Sequence, residues 1–127
     1  MVIRPQGSNW LILNQRDHAS LSADLARAMD LPPLDELGAR EELLAAIAHH
    51  DDGWANWDAD PKTDPDLGRP RGFNEMDRRD SLPIWRASIE SAATHGPLAA
   101  ATVAGHFLAL SRFGGDDGLT MDWRRWA

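Results

Sequence analysis

Residues 43–54 read Leu-Leu-Ala-Ala-Ile-Ala-His-His-Asp-Asp-Gly-Trp, and they sit at the end of a segment with helical spacing from about Asp35 to Asp51. Leu37, Leu43, Leu44 and Ile47 fall on one side of that helix. Each helical residue turns the side chain by about 100°, so positions three, four and seven apart share a face. His50 is three after Ile47 and seven after Leu43; Asp51 is four after Ile47 and seven after Leu44. Both therefore face inward, whereas His49 falls on the opposite face. A buried Asp is costly unless it is paired or binds a metal, so the inward His50-Asp51 dyad is the first candidate site.

Working outward, three more helices and a hairpin are predicted. Val2-Ile3 and Trp10 to Leu13 are β-type runs separated by Pro5 to Asn9, which is turn chemistry. A helix is expected from about Asp17 to Met29, with Leu21, Leu25 and Met29 as its apolar face, Asn14 or Asp17 as cap and Leu31-Pro32-Pro33 as stop. His18 lies three before Leu21 and seven before Leu25, on that face. A third helix is expected from Pro83 to His95, ended by Gly96-Pro97, and a fourth from Pro97 to about Phe113. In the fourth, His106 is three after Val103 and four before Leu110. Three imidazoles and one carboxylate thus point inward from three helices, which is how helical bundles build metal sites, and His and Asp are standard ligands. His95 stands in the last turn of its helix, where a cation is favoured by the dipole, and is read as structural. The expected fold is all-α, a helical bundle with a short N-terminal β-hairpin, in a single domain over residues 1–127.

Residues 54–81 read as a long loop, with Pro61, Pro65, Pro70 and many charges. A loop of this length in a compact domain is usually functional or disordered. Trp54, Trp57 and Phe73 give it something to bury, which places it over the dyad. Arg69 and Arg71 suit a phosphate or carboxylate; alternatively they are solvated charges balanced by Asp58, Asp60, Asp64 and Asp66. Residues 114–127 form an irregular tail ending in Trp123 and Trp126.

The chain has 127 residues, a net charge of −7 and no cysteine. The acidic balance argues against a nucleic-acid surface, and the lack of cysteine excludes disulfides, thiolate zinc sites and Cys nucleophiles. No stretch approaches the roughly 20 apolar residues of a membrane span, and the first residues lack the layout of a secretory signal. A cytoplasmic location is expected, and a homodimer is compatible with the composition. Six Trp with no Tyr suits pocket walls, since Trp combines a large apolar body with one N–H donor.

The order of His18, then His50-Asp51 on the next helix, resembles the HD-domain superfamily of metal-dependent phosphohydrolases. The string His49-His50-Asp51-Asp52-Gly53-Trp54, with Gln15-Arg16-Asp17-His18-Ala19 before it and Trp57-Asp58, Gly68-Arg69-Pro70, Phe73 and Gly105-His106 after it, is more specific. It resembles an uncharacterised bacterial family of HD-like proteins, a domain of unknown function, over most of residues 1–113. The resemblance implies an HD-like helical fold and a metal site with His18, His50 and Asp51 as ligands, and no established activity. The superfamily's usual last ligand is an Asp on a late helix, and this sequence departs there. Either His106 replaces that Asp, as in HD-like oxygenases with additional His ligands, or His95 or a tail carboxylate (Asp116, Asp117, Asp122) completes the site, or the site is incomplete.

The expected function is metal-dependent hydrolysis of a small anionic, phosphorylated substrate, the ion activating water. His18, His50, Asp51 and His106 are the expected metal ligands, Asp51 and Asp52 the catalytic carboxylates, and Trp54, Trp57, Arg69, Arg71 and Phe73 the substrate contacts. The ion is divalent (Fe, Mn, Zn or Mg), with Fe or Mn favoured by three His against one carboxylate. The alternatives are an iron-dependent HD-like oxygenase and a non-catalytic metal-binding or ligand-sensing domain.

Overall fold

The N-terminal β-type runs pair as an antiparallel hairpin, β1 (Val2–Gln6) against β2 (Asn9–Leu13), with Val2 opposite Leu13 and Gln6 opposite Asn9. The computed structural model describes residues 1–29 and 39–113. The turn is tighter than the predicted one because Gly7 takes a φ of 62°, a conformation glycine adopts at no steric cost. Among the described residues four long helices follow: α1 (Gln15–Ala28), α2 (Arg40–His49), α4 (Arg78–Ala93) and α5 (Pro97–Phe113), with a short helix, α3 (Ala55–Ala59), between α2 and α4. The chain is mostly helical with a short N-terminal hairpin, as the periodicity predicts. Among the described residues, no helix is long and apolar enough to cross a membrane. Leu31, Pro32, Pro33 and Leu37, and the tail residues Asp116, Asp117, Asp122, Trp123 and Trp126, lie outside the described residues.

Helix α1 begins two residues earlier than predicted, with Asn14 as its cap: the Asn14 side chain accepts from the Asp17 N–H at 2.7 Å. Its packed face differs from the predicted one. Gln15, Ala19 and Ala23, spaced by four, are buried, while Leu21 and Leu25 are each 60% exposed and Met29 is 54% exposed. Alanine lets two helix backbones approach, whereas leucines on that face would hold them apart; interaxial distance follows the side chains at the contact. The large apolar residues of α1 are therefore not its core face.

Helix α4 begins at Arg78, five residues before the predicted start, with Asp77 as cap residue. The Ser81 hydroxyl and N–H both donate to the Asp77 carbonyl, each at 2.9 Å. Pro83 stands inside the helix and removes one backbone bond there. The helix continues because Ser81, Ser88, Ile89 and Ala92 are buried along one side, and packing of one face, more than propensity, carries most helices. At the start of α5, Glu42 of α2 accepts from the N–H groups of Leu98 and Ala99, at 2.6 and 3.1 Å. A carboxylate there satisfies two orphan donors and complements the helix dipole.

Ala46 of α2, Ile89 and Ala92 of α4, and Ala99, Val103 and Phe107 of α5 form the core. Trp85 stacks on Phe107, with ring centroids 5.0 Å apart and planes 9° from parallel. Removing a buried Phe of this kind costs about 3–5 kcal/mol, so this pair fixes α4 against α5 beside the histidines.

Residues 54–81 are not one open loop. They carry α3, a two-residue ladder of β3 (Thr63–Asp64) with β4 (Arg69–Pro70), and a 3-10 turn at Phe73–Glu75. Charge pairs order the segment. Arg69 donates to both oxygens of Glu75, each at 2.7 Å, and lies 5.0 Å over the Trp10 ring. Arg71 bonds Asp64 at 2.6 Å and Asp77 at 2.7 Å. Phe73 N–H donates to the Met1 carbonyl at 3.0 Å, and Gln15 N–H to the Asp58 carboxylate at 2.6 Å.

Two consequences are measurable. The paired bonds from Arg69, with the Gly72 N–H, hold the Glu75 carboxyl down at about 2, from an ordinary 4.5. The folded value lies below the unfolded one, so this stabilisation is complete above about pH 4.5 and is lost as pH falls toward 2. The melting temperature of Glu75→Gln should therefore lie below wild type near neutrality, with the gap closing as the pH is lowered from about 5 to about 3. Separately, a Cβ on Gly53 would collide with the Ile84 carbonyl of α4. Gly53→Ala should lower stability by about 1–3 kcal/mol or prevent folding, read by denaturant unfolding, because overpacking a tight backbone contact forces a shift.

Candidate metal centre

Helix α2 ends at His49, and the dyad is built where it stops. His50 is still near helical geometry (φ −61°, ψ −22°), but Asp51 (φ −113°, ψ 15°) leaves it, and Asp52–Trp54 forms a 3-10 turn. The Trp54 N–H closes that turn on the Asp51 carbonyl at 3.1 Å, and Trp54 itself is 2% exposed. Asp51, 3% exposed, is thus carried inward by the turn and not by helical phase.

The structure brings the predicted residues together from three helices. Donor atoms of His18, His50 and Asp51 all lie within 4.8 Å of one another, and they are the one such group of three or more among the described residues. His50 stands at the centre, its ring 5.6 Å from that of His18 and 5.1 Å from that of His106, both near perpendicular. His18 and His106 are accessible on α1 and α5, while His50 is half-buried.

The donor chemistry fits a cation. His50 Nδ1 lies 2.6 Å from the Ile47 carbonyl oxygen, an acceptor, so Nδ1 carries the hydrogen and Nε2 presents a lone pair. That Nε2 is 3.2 Å from Asp51 Oδ2. Two acceptors at this separation need a proton or a metal ion to hold them. In the ion-free protein burial alone would lower the pKa of His50, but the hydrogen bond and charge of Asp51, with the Ile47 carbonyl, outweigh it and raise the pKa. At His106, burial and the neighbouring His50 and His18 hold the imidazole below its usual value, in the neutral form a metal ligand requires.

The next carboxylate turns the other way. Asp52 Oδ2 is 2.8 Å from His49 Nδ1 and accepts from the Ser91 hydroxyl at 2.7 Å, with Arg16 Nε 3.5 Å from Oδ1. These contacts outweigh burial and lower the Asp52 pKa. His49 stacks on His95 at 4.1 Å. The four-residue string His49 to Asp52 therefore divides into an inner pair at the cluster and an outer pair on α4. His49 is half-buried against α4 and not turned to open solvent, and His95 belongs with it. His49 and Asp52 line a separate cleft of about 600 Å³ along α1.

Beside the cluster is a cavity of about 160 Å³ walled by Val2, Trp54, Phe73, Trp85, Phe107 and Leu110, with Gln15 also on its surface. Trp54 and Phe73 were expected near the site. Trp57, Arg69 and Arg71 are not among the residues lining this cavity. Trp57 is half-buried with its indole N–H unpartnered, and both guanidiniums are taken up by carboxylates of their own segment. The reason is local: Asp64, Glu75 and Asp77 lie within seven residues of the arginines and meet them without ordering further chain. Sequence reasoning missed Gln15, Trp85 and Phe107. Gln15 shares the four-residue spacing of Ala19 and Ala23, and that small-residue stripe was the signal that could have found it.

Adjacent carboxylates should therefore behave differently. Asp51→Asn should weaken metal binding severely. Asp52→Ala should leave metal content unchanged and lower stability by about 1–3 kcal/mol, through the lost bonds to His49 and Ser91. Metal analysis alongside denaturant unfolding separates the two, and equal metal loss in both variants would contradict the division described.

No curated protein and no solved structure matches the chain. A family model described as a protein of unknown function, DUF3891, matches residues 1–122, and with nearly the whole chain covered this protein belongs to that uncharacterised family.

Proposed function

We propose that this protein is a metal-dependent enzyme in which one divalent ion, iron or manganese by preference, is held by His18, His50, Asp51 and His106. The observation that carries the reading is the meeting of His18, His50 and Asp51 donors within 4.8 Å, with the His106 ring 5.1 Å from that of His50. An N-rich set with one carboxylate suits Fe, Mn or Zn better than Mg. The same arrangement accords with an HD-like metal site in which His106 stands where a late Asp is usual.

Of the two reactions considered, iron-dependent oxygenation of a small, weakly charged substrate accords better with the surroundings than hydrolysis of a phosphorylated one. Among the described residues no Lys or Arg lines the 160 Å³ cavity, and Arg69 and Arg71 are committed to Glu75, Asp64 and Asp77. When bound, a redox-active ion would supply activation of dioxygen. The chain's own groups do the rest. The Ile47 carbonyl orients His50, Asp51 supplies a compensating negative charge, and Trp54, Trp85 and Phe107 keep bulk water from the inner side.

Metal-stripped protein titrated with Fe(II), Mn(II), Zn(II) and Mg(II) tests this. One equivalent of iron or manganese should bind and raise the melting temperature, and His50→Ala should abolish both effects. Dioxygen-dependent oxidation of the iron form, followed by absorbance, is expected from an oxygenase. A melting temperature indifferent to all four ions would remove the metal reading.

A further inference from the structure

One polar atom beside the cluster has no partner. Gln15 is 4% exposed, and its Oε1 is buried with no hydrogen bond from the described residues. A buried amide oxygen without a donor is costly and rare. Its backbone N–H, by contrast, is used: it donates to Asp58 and fixes the start of α1. The side chain is therefore held in place by the helix while its acceptor is left unused. Gln15 lines the same 160 Å³ cavity as His18, His50, Asp51 and His106.

The remainder of that cavity is apolar. Val2, Trp54, Phe73, Trp85, Phe107 and Leu110 form its wall, and among the described residues Asp51 is its sole carboxylate and no Lys or Arg lines it. A volume of roughly 150 Å³ accommodates a benzene-sized molecule. Ligand sites of this kind orient their occupant through a few placed polar groups, because an unmet buried acceptor penalises any occupant that lacks the donor.

We infer that Gln15 Oε1 is the specificity-determining acceptor for a small, uncharged, largely apolar substrate, of about one six-membered ring, that presents an O–H or N–H donor. The inference rests on the metal-dependent reading for its chemistry, since the substrate would then lie beside the ion's ligands. Gln15 is a positioning residue: it orients the donor-bearing end of the substrate and takes no part in bond making.

The test uses phenol and benzene as matched probes, differing in one donor, with binding followed by ligand-observed NMR on metal-loaded and metal-stripped protein. Phenol should bind wild type about tenfold more tightly than benzene, the ratio expected of one hydrogen bond. Gln15→Met, of similar length without the acceptor, should lose that preference by weakening phenol while leaving benzene and metal content unchanged. Leu110→Trp, which fills the cavity, should abolish binding of both. Equal affinity of the two probes for wild type overturns the inference, and needs no variant to fold. Phenol binding that survives Leu110→Trp places the probe elsewhere and also overturns it. Loss of the ion in Gln15→Met would assign Oε1 to the metal's own surroundings, again against the inference. Because the probe ratio is read with and without metal, failure of the metal reading alone leaves the Gln15 result standing.

Discussion

The backbone at Gly53 lies against α4 so closely that a Cβ would strike the Ile84 carbonyl, and the Gly53 N–H donates to the Ser88 hydroxyl at 3.0 Å. Much of the site depends on this approach. Just before it α2 stops at His49 and the chain passes into a 3-10 turn. That turn buries Trp54 and rotates two consecutive carboxylates to opposite sides. Only glycine permits the contact, since any side chain would occupy the position of the α4 backbone. With α4 pushed away, Asp52 would lose Ser91, and Asp51 would lose the turn that aims it at His50.

The electrostatics follow from the same geometry. Asp51 is nearly excluded from solvent and faces the His50 imidazole, an arrangement that a proton on His50 or a metal ion between the two groups satisfies. Asp52, one residue on, is satisfied by a hydroxyl, an imidazole and a guanidinium. The inner carboxylate meets His50 and the outer one holds α2 against α4. The stacked Trp85–Phe107 pair adds an apolar wall next to His106, so the cluster is exposed at His18 and His106 and lined by aromatic rings on the other side. An apolar wall strengthens the charge interactions between Asp51 and His50.

The positive charges of residues 54–81 show how local pairing can override a functional expectation. Arg69 and Arg71 have the chemistry to clamp an anion, but Glu75, Asp64 and Asp77 are close in sequence and are met at little entropic cost. Each guanidinium that closes on a neighbouring carboxylate also orders the segment, which is why this Pro-broken stretch carries structure of its own. What the described residues leave near the histidines is largely apolar surface with Gln15, Ser22, Asp51 and Thr102, a different chemistry from the one that the arginines suggested.

Periodicity and turn chemistry determined the helices and the hairpin, because each follows from residue spacing within one element, and they put His18, His50 and His106 on three separate helices. Pro97, Gly96 and Asn14 marked boundaries for the same local reason. Choices between two faces of one helix were decided only by packing. In α1 the leucine stripe and the alanine stripe are both four-residue repeats, and the alanines won because α2 approaches closely. The start of α4 was likewise decided by its buried side, which outweighed the signal of Pro83. Which of two adjacent aspartates faces the cluster depends on a backbone contact between residues 53 and 84, and no local pattern records it. The partners of Arg69 and Arg71, and the unused oxygen of Gln15, are properties of distances between side chains, which only the assembled chain defines.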